Sequence, residues 1–137
     1  MRRSRWLKYS SFLMMPVSIV QAAFGLMMIN VFATARSFGG VVPAQMRLAG
    51  LALLVVLGNA LCELVSGFVG ALNWEEPLRA RRCVLWGGVT LALGLLGLAV
   101  QALAGYTLSY VEWLTGVAVP ANFLAAALRF YRACRNK

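Results

Sequence analysis

Residues 48–72 read LAGLALLVVLGNALCELVSGFVGAL, an apolar run broken by a single charge, Glu63. A bilayer's hydrocarbon core asks for about 20 consecutive apolar residues in a helix, so this stretch predicts a transmembrane span. A charged side chain at such depth costs about 3 kcal/mol even on lenient insertion scales. Glu63 is therefore expected to face protein or water rather than lipid, and to matter.

Working outward, three further runs of similar length and character cover residues 10–34, 83–105 and 110–128. Together with residues 48–72 they take up most of the 137 residues, and no soluble domain fits between them. Composition agrees: 61% of the chain is hydrophobic and 12% charged, against about 25% charged in a soluble domain. The predicted architecture is an all-α membrane protein, a four-transmembrane-helix antiparallel bundle forming a single integral membrane domain over residues 1–137. Short links support it, because they join antiparallel neighbours. Residues 35–47 carry Gly39, Gly40 and Pro43 and are read as a loop over the bundle mouth. Residues 73–82 form a turn with Trp74, Glu75, Glu76 and Pro77, and residues 106–109 a tight turn.

The net charge of +9 is distributed asymmetrically. Arg2, Arg3, Arg5 and Lys8 precede the first span, Arg79, Arg81 and Arg82 lie between the second and third, and Arg129, Arg132, Arg135 and Lys137 follow the fourth. Those segments share one side and leave only Arg36 and Arg47 on the other, the positive-inside pattern. Both termini are thus expected in the cytoplasm of a multi-pass protein, with a bacterial inner (plasma) membrane as the setting. Anionic lipids are the expected partners of Arg79, Arg81, Arg82, Arg129, Arg132 and Arg135, and nucleic acid is not. Trp6, Trp74, Trp86, Trp113, Tyr106 and Tyr110 fall near the span ends as interfacial anchors.

Two targeting motifs are set aside. Ala33-Thr34-Ala35 has the form of a signal-peptidase site, but the preceding apolar run exceeds the usual 7–15 residues of a signal peptide. Arg2-Arg3 before Trp6-Leu7-Lys8 misses twin-arginine spacing by one residue. Cys62, Cys83 and Cys134 form no C-x-x-C pair, and the chain has no histidine. No structural disulfide, metal or other cofactor is expected.

Within each run the polar and small residues recur at steps of three, four or seven, which places them on one helix face. The faces are Ser18, Gln21 and Gly25; Asn59, Glu63, Ser66 and Gly70; Gly87, Thr90, Gly94, Gly97 and Gln101; and Thr115, Asn122, Ala126 and Arg129. Lipid is as apolar as leucine, so membrane helices associate through small residues and interhelical hydrogen bonds. The seams should converge on the bundle axis, with Gly87, Gly94 and Gly97 as packing positions. By depth, Gln21, Asn59, Glu63 and Asn122 are expected to share one buried polar site. Pro120 frees a backbone carbonyl one turn before it, and Pro16 does the same nearer the first span's start.

The stretch Gly67-Phe68-Val69-Gly70-Ala71-Leu72 with Arg82-Cys83-Val84-Leu85 resembles the region joining the second and third spans of tetraspanins. That family is defined by a large cysteine-bearing extracellular domain, for which the turn at residues 106–109 leaves no room, so no function carries over. Four short spans with one membrane carboxylate are also similar to small multidrug-resistance transporters, whose glutamate, however, is in the first span.

Three functional classes remain. A scaffold, accessory or regulatory membrane protein acts through helix or lipid contacts. A proton-coupled transporter or permeation unit would use Glu63. An intramembrane enzyme would need a second positioned group, and only Glu75, Glu76 and Glu112 are available as further carboxylates. With no catalytic motif the chain is read as a non-enzyme of the first class, with a homo-oligomer or another membrane protein as partner.

Overall fold

The computed structural model describes residues 4–37, 39, 43–76 and 79–135. Three long helices open the chain: α1 (Arg5–Ser37), α2 (Pro43–Asn73) and α3 (Ala80–Leu103). The fourth limb is composite, with α4 (Tyr110–Trp113), one π-helical turn (Leu114–Ala118) and α5 (Val119–Arg135) on a common path. No strand occurs among the described residues. Four segments, Arg5–Val31, Met46–Asn73, Ala80–Leu103 and Tyr110–Arg135, are each long and apolar enough to cross a membrane.

The helices overrun the apolar stretches at both ends, because backbone hydrogen bonding does not stop where hydropathy falls. Pro43 opens α2, where the fixed φ and missing N–H of proline are no handicap. The expected loop over residues 35–47 is therefore helical over residues 35–37 and 43–47; Gly39 has φ 67°, and residues 38 and 40–42 lie outside the described residues. On the same side α3 ends in a Schellman motif. Gly105 (φ 83°) donates to the Ala102 carbonyl at 3.1 Å, and Tyr106 to that of Gln101 at 3.1 Å. Ser109 then starts α4 through a capping box with Glu112.

α1 packs on α2, α2 on α3, α3 on α5, and α5 closes back on α1. This is the antiparallel four-helix bundle, with both chain ends at one end of the molecule. Leucines such as Leu54, Leu61, Leu85 and Leu95 face outward, which in a membrane is contact with lipid.

The half of the bundle nearest the termini is filled by Leu7, Met14, Cys83, Phe123, Ala127 and Phe130. Phe123 is the wedge. Cβ atoms added at Gly70 and Gly87 would come within 2.7 and 3.0 Å of its ring, so the ring fits only because both positions lack side chains.

Farther along, α3 meets the fourth limb backbone to backbone. Pro120 has no N–H and its ring crowds the carbonyl four residues earlier, that of Gly116. The chain widens into its π-helical turn at this point, an adjustment that membrane helices use to accommodate proline. The Gly116 carbonyl oxygen then lies so near Gly94 that any Cβ there would overlap it. Gly97 is less constrained than the glycine seam suggests, since a Cβ there would meet Val55 Cγ1 at 3.4 Å, an ordinary contact.

Gly94→Ala should therefore destabilise the bundle by about 1–3 kcal/mol, an overpacking cost borne by backbone that cannot swing aside. Gly88→Ala is the matched control: nothing lies within 4 Å of its added methyl, and a helical alanine should be neutral or stabilising by up to about 1 kcal/mol. Unfolding midpoints in detergent measure both; equal behaviour would mean that α3 is rotated from this orientation.

Candidate functional site

The polar seams point inward. Ser18, Gln21, Asn59, Glu63, Ser66, Thr90, Gln101 and Thr115 are all buried, although each span is surrounded elsewhere by apolar side chains. In hydrocarbon a polar side chain without a protein partner is costly, which orients each helix by its few polar residues. Together with Ser10 and Asn122, five of them (Gln21, Asn59, Glu63, Ser66 and Thr90) assemble into three layers along the bundle.

The layer nearest the termini joins α1 to α5, where the Asn122 amide donates to Ser10 Oγ at 3.1 Å. This corrects the expectation that Asn122 would share a site with Glu63. Ser10 precedes Gln21 by eleven residues, about 16 Å along a helix axis, so Asn122 belongs to a separate contact. Asn122 lies six residues from the terminal end of its apolar run, at residue 128, against nine for Glu63 from residue 72, so it sits closer to the termini than a common mid-span depth suggests.

The second layer clasps α2 to α3. Ser66 Oγ and Thr90 Oγ1 lie 2.7 Å apart. One hydroxyl donates to the other, and the accepting one donates into its own helix, where Ser66 Oγ lies 2.7 Å from the Cys62 carbonyl and Thr90 Oγ1 2.8 Å from that of Trp86. Every polar atom here has a partner, and the layer works as a structural tie.

The third layer holds Glu63, which is fully buried. Asn59, one turn earlier on the same face of α2, donates through its Nδ2 to Glu63 Oε1 at 3.4 Å and to Gln21 Oε1 on α1 at 3.0 Å. Asn59 is thus the hinge between the carboxyl group and the first helix. Glu63 Oε2 and Asn59 Oδ1 have no hydrogen-bond partner among the described residues, and neither does Gln101 Oε1 on α3.

Next to this layer, on the side away from the termini, lies a cavity of about 30 Å³. Its polar wall is Gln21, Asn59, Gln101, Glu112 and Thr115, and Gly94 and Gly116 form its floor. The volume suits one or two water-sized occupants. Glu112 and Thr115 were legible only as a helix start and a seam residue; their place here depends on the π-helical turn, for which Pro120 four residues after Gly116 was the sequence signal. Ser10 could not have been singled out, because serine beside a helix end is ordinary.

The four residues expected as one site are therefore divided. Gln21, Asn59 and Glu63 form a connected group, and Asn122 stands apart. Of the packing glycines, Gly87 and Gly94 are close-contact positions and Gly97 has room for a methyl. Among the described residues no group of three or more Cys, Asp or Glu side chains is arranged to hold a metal ion.

Comparisons with known proteins add no family: no protein-family model, curated protein or solved structure matches this chain. The fold and its apolar surface carry the classification that can be made, a small integral membrane protein of four helices.

Proposed function

We propose that this protein is a scaffold or accessory subunit, acting through contacts of its helices with lipid and with other membrane helices rather than by processing a substrate. The observation that carries the reading is the small size of the polar cavity. Ligand pockets occupy about 300–1,000 Å³, whereas the polar cavity offers about 30 Å³, and the half toward the termini is plugged by Phe123 and its neighbours. No reaction is proposed, and Glu63 serves as a buried polar tie that is neutral in place. Its association with another copy or another membrane protein is part of the same proposal.

Both termini are read as cytoplasmic. Arg81, Arg82, Arg129, Arg132 and Arg135 stand exposed at one end of the bundle, where they suit anionic headgroups; Arg79 also pairs with Glu76 at 2.8 Å. Lys8 lies 4.6 Å from the Trp74 ring centroid and Arg129 4.7 Å from that of Trp6. These cation–π pairs set basic and aromatic groups at one level, as a membrane interface requires. A cysteine placed at Ser4, in a Cys134→Ser background, should resist impermeant thiol reagents added to intact cells; efficient labelling would reverse the topology.

The unpartnered Glu63 Oε2 favours a second reading, a proton-coupled transporter or permeation unit with Glu63 as the titrating group. Reconstituted vesicles with a pH-sensitive dye separate the two. The scaffold reading expects proton leak equal to that of empty vesicles. Proton flux in the wild type that Glu63→Gln abolishes would establish the transporter instead.

Stability supplies a further check on the tie. Glu63→Gln keeps the acceptor that Asn59 uses and should change stability by less than about 1 kcal/mol. Glu63→Ala removes that acceptor and leaves a void beside Asn59, and should cost about 2–4 kcal/mol. Chemical unfolding in mixed micelles measures the difference; a Gln variant as unstable as the Ala variant would mean that Glu63 is held as a charge.

A further inference from the structure

We infer that the cavity between α1, α2, α3 and the fourth limb is a binding site for a small monovalent cation of the sodium type. The inference is independent of the scaffold reading and concerns residues that the helix contacts do not use up.

The wall of the cavity has acceptors left over. Asn59 spends its NH₂ group on Gln21 Oε1 and Glu63 Oε1, so the side chain has only its Oδ1 to offer, and that atom is unpartnered. Gln101 Oε1 is unpartnered as well. Both residues line the cavity, and they are only 3% and 4% exposed, so bulk water does not satisfy them. Buried acceptors of this kind are costly unless something binds them. Thr115 adds a hydroxyl oxygen whose proton is committed to the Val111 carbonyl at 2.8 Å, leaving its lone pairs toward a ligand. Glu112 supplies the negative charge. Its Oε2 accepts from Ser109 N at 2.6 Å and Ser109 Oγ at 3.0 Å, and Oε1 remains for a ligand.

Amide, hydroxyl and carboxylate oxygens together make a donor set for a hard cation. Charge selects its valence. Glu112, half-buried at its helix start, is the acidic residue in the cavity lining, and one carboxylate matches a single positive charge, whereas divalent sites usually gather several. Size agrees, because a cavity of about 30 Å³ admits one such ion with at most a water. The setting is also one in which membrane proteins hold sodium, next to a helix whose regular bonding is interrupted, here by the π-helical turn and Pro120.

The test compares unfolding midpoints of the full chain in detergent, at fixed ionic strength, in sodium chloride and in N-methylglucamine chloride. Sodium should raise the midpoint saturably, by about 4 °C at ten times its dissociation constant. Glu112→Gln should abolish the rise while folding normally, since glutamine at the same position keeps the capping box with Ser109; its midpoint in N-methylglucamine reports the folding. Gln101→Leu, which replaces an unpartnered amide by an apolar chain of similar length, should abolish the rise too. Equal midpoints for the wild type in both salts would overturn the inference and leave the cavity to water alone. A sodium effect that survives in both variants would overturn it as well, by locating the ion elsewhere.

Discussion

Hydrocarbon offers this protein neither hydrogen bonds nor a hydrophobic reason for its helices to meet. Association must therefore come from close packing and from polar groups that have nowhere else to go. Both means are present, and they are spatially separated. Toward the termini, glycines at positions 70 and 87 admit the Phe123 ring. Farther along, Gly94 admits the carbonyl of Gly116, and between these contacts the Asn59 and Ser66 layers tie α2 to its two neighbours.

That separation shapes what the interior can do. Toward the termini the interior is filled by Phe123 and its neighbours, while the other half has a small cavity bordered by Asn59, Gln101 and Glu112. Glu63 stands at the boundary, tied to Asn59 rather than to any basic side chain. The polar layers thus serve first to orient the helices, and any binding chemistry occupies what they leave unpaired.

The proline at position 120 has consequences beyond its own helix. By removing one donor it converts a regular turn into a wider one, and that widening brings Gly116 against Gly94 and turns Thr115 and Glu112 toward the cavity. A regular α-helix through residues 114–118 would rotate those side chains relative to α5. The local breach of helical bonding and the polar cavity are therefore two aspects of one feature, as is common at π-helical turns.

The number of spans, the antiparallel arrangement and the inward face of each helix were determined by the sequence alone, because run length and the spacing of polar residues are local and one-dimensional. Gln21, Asn59 and Glu63 could be named in advance for the same reason: the price of a polar side chain in lipid makes each of them conspicuous. Which of these residues meet was decided only in three dimensions. Asn122 passed Glu63 by and found Ser10, since it lies nearer the terminal end of its span and the π-helical turn sets its rotation, which hydropathy does not show. The unequal demands on Gly94 and Gly97 were likewise invisible in a periodic seam: one faces a carbonyl oxygen and the other the end of a valine side chain. Spacing along a helix states which face a residue occupies, and only the packed partner determines how much room it has there.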